Sequence, residues 1–278
     1  MSREIDRRAF LAGAGAFAAK LAYDGLHSPR AEAAATEWIS PTPETVDRLQ
    51  RAVDVSGHPT IGNGSRDVSG TFAVQKAQYR LNAKQFNAPI GVDGAFGPIT
   101  QGRVQEFQTI WHIPETGILD ELTWSFLLME TPPVAPTAGH AIVLDQSLRH
   151  VWLLGAENGR TRVYVEGDVV DNPGELPPGE YRTIADSHLP ITSSYASNKK
   201  DAGNLALEHF SGFAAGGDIG FHRIPYDKET GIPLHNETAL GVPANITGQT
   251  SKGCVRTSAQ TAAHIFGMPI TTRVMVQP

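Results

Sequence analysis

The 278-residue sequence predicts two folded units in series, a small all-α domain of three short helices followed by a mainly β domain. Three observations predict this. Apolar residues recur at helical spacing over residues 67–128, and from about His140 the period shortens to two. Between these stretches "METPPVAPTAG", residues 129–139, carries closely spaced prolines that disfavour both helix and strand and read as an interdomain linker. A 40% hydrophobic composition suffices for one sizeable core or two modest ones, and 28 glycines with 19 prolines imply many turns.

Taken in chain order, "DRRAFLAGAGAFAAK" places Arg7 and Arg8 before a weakly apolar Gly/Ala run that is too short to span a bilayer. The pair followed by Phe10 and Leu11 resembles a twin-arginine export signal, with small-residue cleavage positions after Ala33 or Ala35. Residues 1–35 are therefore expected to be a signal peptide, leaving no stable membrane span in an exported mature protein. Residues 36–66 mix prolines, a short helical pattern around Val46 to Val53 and a Gly-Asn-Gly loop, and read as a spacer.

In the first domain Val74, Ala77 and Leu81 share one helical face, as do Val104, Phe107 and Trp111, and Leu119, Leu122, Phe126 and Leu127 supply a third. "IGVDGAFGPIT" and "IPETGILDELTW" are the turns that open the second and third helices. Helix spacing and the loop Asp93-Gly94-Ala95-Phe96-Gly97-Pro98-Ile99-Thr100 together resemble the three-helix peptidoglycan-binding domain. That resemblance implies peptidoglycan as the polymer partner of residues 67–128. In the second domain, "HAIVLD", "HVWLLG", "TRVYVEGDVV" and "EYRTIAD" are β-branched or aromatic runs separated by turn signals.

The net charge of −6 and the lack of a basic stripe argue against nucleic acid as a partner. Cys254 is the only cysteine, so an exported chain has no internal disulfide to make, and the thiol is buried, paired between chains or reactive. In "SKGCVRTS" it follows a glycine, lies between Lys252 and Arg256 and precedes a helix-like segment, conditions that favour thiolate over thiol. A catalytic cysteine needs a base or cation nearby. Of ten histidines, His222 in "GGDIGFHRIP" is best placed, at the end of a short strand closed by Pro225. His188, His209, His235 and His264 read as solvated or structural.

"GDIGFHRIP" with "ALGVPANITGQTSKGCVR" resembles the catalytic domain of the YkuD-type L,D-transpeptidases, with "LPPGEYRTI" and the terminal "AQTAAHIFGMPITTRVMVQP" extending the likeness over residues 140–278. The resemblance implies a β-sandwich-like fold with a short helix after the cysteine motif. It implies Cys254 as nucleophile, His222 as base oriented by the carbonyl of Arg223, and backbone N–H groups around Gly253 and Cys254 for the oxyanion. Arg256 would position substrate, with Ser251, Lys252, Phe221 and Arg223 completing the candidate binding set and Ser251 also ordering the loop.

No cofactor or metal is implied. The substrate would be a peptidoglycan tetrapeptide stem that loses its terminal D-Ala as the acyl group passes to an amine, and carbapenem-type β-lactams would acylate the thiol. Other readings are an L,D-carboxypeptidase with water as acceptor, a zinc amidase or D,D-carboxypeptidase, and a silent wall-binding protein. Two features depart from the family pattern: Lys252 stands where many members have histidine, and "YDKETGIPLHNETALG" lengthens the interval from His222 to Cys254.

Overall fold

A computed structural model describes residues 38–42, 45–47, 52–84, 88–192 and 205–278. The expected signal segment, residues 1–35, lies outside the described residues. Two short strands, β1 (Trp38–Ile39) and β2 (Val46–Asp47), precede helices α1 (Ala73–Ala83), α2 (Pro98–Ile110) and α3 (Glu121–Leu128). Val74, Ala77 and Leu81 of α1 meet Val104 and Phe107 of α2 in one core, completed by Phe96, Leu119, Trp124, Leu127 and Leu128.

The third helix has a different phase from the expected one. Asp120 caps it by accepting from Thr123 N at 2.8 Å, so the helix starts at Glu121 and Leu119 precedes it. Leu122 is consequently only half-buried, and Trp124 fills the core. The Trp124 indole N–H also donates to Pro59 O at 2.9 Å. Trp124→Ala is therefore expected to destabilise the protein by about 3–5 kcal/mol, read from a urea titration.

One device is used twice in this domain. The Gln78 amide donates to Asp93 Oδ1, Ala95 O and Thr100 Oγ1, and its oxygen accepts from Asp93 N and Gly94 N. Gln108 does the same one loop later, donating to Thr116 Oγ1, Ile118 O and Thr123 Oγ1 and accepting from Gly117 N. Both glutamines are buried, so each satisfies a loop that carries a glycine at positive φ. Between these elements, residues including Arg66, Gln78, Asp93, Phe96 and Ile99 line an open cleft of about 400 Å³.

The β domain comprises β3 (Ala135–Pro136), β4 (Gly139–Asp145), β5 (His150–Glu157), β6 (Arg160–Asp168), β7 (Gly179–Arg182), β8 (His188–Thr192), β9 (Leu205–Ala214), β10 (Ile219–Arg223), β11 (Tyr226–Asp227), a helical turn α4 (Ala244–Thr247), β12 (Val255–Thr257), α5 (Ala259–Phe266) and β13 (Arg273–Gln277). Among the described residues one sheet runs in the order β2-β6-β5-β4-β13-β7, and a second in the order β11-β9-β10-β12 with β8 also paired to β9. Ile142, Leu144, Val151, Leu153, Val274 and Val276 of the first sheet face Phe213, Phe221 and Val255 of the second, and Ile265 of α5 joins them. This is a mainly β domain with a small all-α domain before it.

The spacer and linker expectations need correction, because both segments are built into the fold. β1 pairs with β3 and β2 runs parallel to β6, so Val46–Asp47 is a strand rather than the start of a helix. The physical reason is the first sheet's outer face, where Val143, Trp152, Leu154 and Val163 are apolar, pack with Val46 of edge strand β2 and are covered by Ala135 of β3. Asp54 then caps α5, accepting from Thr261 N at 3.2 Å and from the hydroxyls of Ser258 and Thr261.

Candidate active site

β10 and β12 are parallel neighbours, with Phe221 opposite Val255 and His222 opposite Arg256. Phe221 and Val255 point into the core, so alternation along the strands sends His222 and Arg256 to the other face. Cys254, immediately before β12, packs on that face against Leu207 and Phe210 of β9. The topology thus brings together two residues far apart in the chain.

The thiol is 3% exposed, and its Sγ lies 3.7 Å from Asp218 O. Burial pushes the Cys254 pKa up; a backbone hydrogen bond from Gly220 and the charge of Arg256 pull it down without reversing the shift, and Asp218 adds to it. Burial therefore works against the thiolate that the flanking charges favour. Lys252 is exposed, whereas Arg256 and Asp218 are charges that act on the thiol. Iodoacetamide alkylation against pH is expected to show a midpoint above the ordinary thiol value. Arg256→Met should raise that midpoint more than Lys252→Glu does.

His222 is also buried, and its pKa is lowered to about 4, first by burial and then by Arg256 and His235, against the effect of its hydrogen bond to Arg223. Its Nδ1 lies 2.5 Å from Arg223 O. A carbonyl only accepts, so Nδ1 carries the proton and Nε2 keeps its lone pair. The Phe210 ring stacks near the imidazole, centroids 6.2 Å apart.

Gly253 has φ +117°, and a Cβ there would sit 3.2 Å from Ile219 Cδ1, so both backbone and space call for glycine. Its N–H donates to Ser251 Oγ at 3.1 Å, while the Ser251 hydroxyl donates to Cys254 O and Asn172 Nδ2 donates to Ser251 O. Ser251 is buried, and these hydrogen bonds order the cysteine loop from within. The Gly253 N–H, expected as an oxyanion donor, is engaged at rest.

Phe221 leaves the candidate binding set: it is wholly buried and stacks on Phe213 at 4.6 Å. Arg223 stays on the rim, half-buried, donating to Glu208 Oε2 at 2.7 Å with its guanidinium 5.3 Å from the Tyr226 ring centroid. Arg256 is half-buried. The sequence reading did not single out Asp218, Leu207 or Phe210. His235, set aside there, is buried with its Nδ1 3.2 Å from Asn236 O and acts electrostatically on His222.

Comparison with known proteins bears on the helical domain. Residues 73–127 match the family model of a putative peptidoglycan binding domain. No curated protein matches the chain. Among solved structures, an L,D-transpeptidase (Yku) from Stackebrandtia nassauensis is similar at 17% identity and TM-score 0.36, over 78% of this chain and 97% of that one. An L,D-transpeptidase (residues 123-326) from Xylanimonas cellulosilytica is similar at 20% identity and TM-score 0.32, over 78% and 96%. A fused Zn-dependent amidase/peptidase/peptidoglycan-binding domain-containing protein from Clostridium acetobutylicum is similar at 16% identity and TM-score 0.34, over 79% and 99%. Among the described residues, no group of three or more His, Cys, Asp or Glu is placed to hold a metal ion, and no helix is long and apolar enough to cross a membrane.

Buried imidazoles give the protein a pH signature. Burial first of all lowers His58 to about 3 and His222 and His235 to about 4, from an ordinary 6.5. In the unfolded chain each takes up a proton below 6.5, so between there and about pH 4 the unfolded state binds more protons. Stability should fall with pH by about 1.4 kcal/mol per pH unit for each group. Asp67 and Asp171, raised by burial, act in the opposite sense because the folded state protonates them first. Urea midpoints measured across this window are expected to decline toward acid.

Proposed function

We propose that the protein is an exported cell-wall L,D-transpeptidase whose nucleophile is Cys254 and whose base is His222, with the helical domain holding it on peptidoglycan. The observation that carries the reading is the placement of a neutral, Nδ1-protonated His222 and the Cys254 thiol on one face of the β10–β12 pair. The peptidoglycan-binding match over residues 73–127 supports the polymer partner, and the cleft lined by Arg66, Asp93 and Phe96 is a site for it.

In the first half-reaction Cys254 Sγ attacks the carbonyl of the third stem residue while its proton passes to His222 Nε2. The oxyanion that forms offsets the new imidazolium, which burial otherwise disfavours. Collapse breaks the peptide bond, and His222 returns the proton to the departing amine of D-Ala. In the second half-reaction an acceptor amine attacks the thioester, loses its proton to His222, and the thiol is regenerated. Gly253 N–H must turn from Ser251 Oγ to the substrate oxygen if it is to serve the oxyanion. Arg256, whose charge acts on the thiol, and Arg223, already paired with Glu208, are the cations that would position stem carboxylates.

Incubation with a tetrapeptide stem and an excess of acceptor amine tests the reading. Release of D-Ala with formation of a cross-linked product is expected; release with only the tripeptide would make the protein an L,D-carboxypeptidase, and no release would contradict both. Export belongs to the same reading. Mature protein from the cell envelope should begin near Ala34 or Thr36, and a chain beginning at Ser2 in the cytosol would contradict it.

A further inference from the structure

A buried cluster of charges joins the helical domain to the β domain at the end of β6. Lys76 Nζ of α1 lies 2.7 Å from Asp168 Oδ2, and Arg80 of the same helix pairs with Asp168 Oδ1. His150 bridges Asp168 at 2.8 Å and Glu166 at 3.1 Å, while Arg80 and Lys84 both reach Glu130. Lys76, Arg80, His150 and Asp168 are all at most 5% exposed. Charges buried so completely are costly to separate, which makes this junction well defined.

Asp168 stands two residues from the backbone that holds the cysteine strand. Val170 N donates to Arg256 O at 3.0 Å and Arg256 N to Val170 O at 2.8 Å, while Val169 O accepts from Gly241 N at 2.9 Å. Gly241 packs against the carboxylate so closely that a Cβ there would lie 2.5 Å from Asp168 Cγ. A second path runs beside the first: Phe72 N, at the start of α1, donates to Thr238 Oγ1, and neighbouring Glu237 accepts from Ala259 N at the start of α5. The segment that lengthens the His222 to Cys254 interval is therefore also in contact with the helical domain.

We propose that Asp168 is a positioning residue through which Lys76 and Arg80 of the helical domain set the placement of Cys254, making that domain part of the active-site scaffold as well as a tether. The inference rests on the acyl-transfer reading only in naming Cys254 as the reacting group. Iodoacetamide alkylation of Cys254 in the full chain tests it without any substrate.

Lys76→Met, with its fold verified by near-ultraviolet circular dichroism, is expected to change the alkylation rate by at least about fivefold and to shift its pH profile. Lys76→Arg should restore both. If Lys76→Met does not fold, Arg80→Lys provides the comparison, since it keeps the charge and loses the forked contact to Asp168 and Glu130. A folded variant whose rate and pH profile superimpose on those of the wild type overturns the proposal. Failure of the wild type to release D-Ala from a stem peptide would count against acyl transfer and leave the alkylation comparison intact.

Discussion

Cys254→Ala is expected to reduce D-Ala release from a tetrapeptide stem by at least about a thousandfold, since no other group in the site can form the thioester. The same variant should remain folded. Its sulfur packs against Leu207 and Phe210, so the substitution opens a small gap worth about 1 kcal/mol rather than nothing. A folded Cys254→Ala protein that still released D-Ala would remove the nucleophile assignment. Peptidoglycan binding through residues 73–127 should be unchanged, because the cleft there shares no residue with the cysteine loop.

His222→Ala is expected to cost nearly as much, because a nucleophile and its base act as one unit. The pH dependence gives a sharper expectation. His222 is neutral down to about pH 4, so kcat/KM of the wild type should hold well below the ordinary histidine range and fall only as that value is approached. Protonation there would remove the lone pair that the proposed reaction uses to take the thiol proton. An acid limb near 6.5 would mean that burial of His222 does not persist in the working protein, and a His222→Ala protein with unimpaired turnover would assign the base elsewhere, with buried His235 the neighbour to examine.

Much of this arrangement is legible in the sequence, and the failures have identifiable causes. The runs around Ile142, Trp152 and Val163 read as strands because their β-branched and aromatic content is high, and the helices of the first domain read from Val74, Val104 and their partners. "SKGCVR" and "GFHR" stand out by residue type. Phe221 was legible in principle, since alternation puts it opposite His222 and hence toward the core. β1 and β2 span two residues each, too short to show a period, so their pairing emerged only with the sheets they join.

Lys76 and Arg80 carry no signal in the sequence, because a charge pattern alone does not show which domain will cover them. The state of the thiol failed for a related reason. Lys252 and Arg256 flank Cys254 in sequence, but burial under Leu207 and Phe210 of a distant strand outweighs the charge of Arg256. Local sequence supplies the sign of nearby charges; tertiary packing decides how much water remains to screen or solvate them.

The central claim is that one buried thiol, activated by a neutral imidazole, performs acyl transfer. Intact-protein mass spectrometry after exposure to a carbapenem tests it most directly, because the drug presents a strained acyl group to the same nucleophile and retains it as a stable adduct. The expected result is a single drug-derived mass addition that maps to the peptide containing Cys254 and is absent from Cys254→Ala. A folded wild-type protein that gains no mass, or gains it equally in Cys254→Ala, would contradict the account.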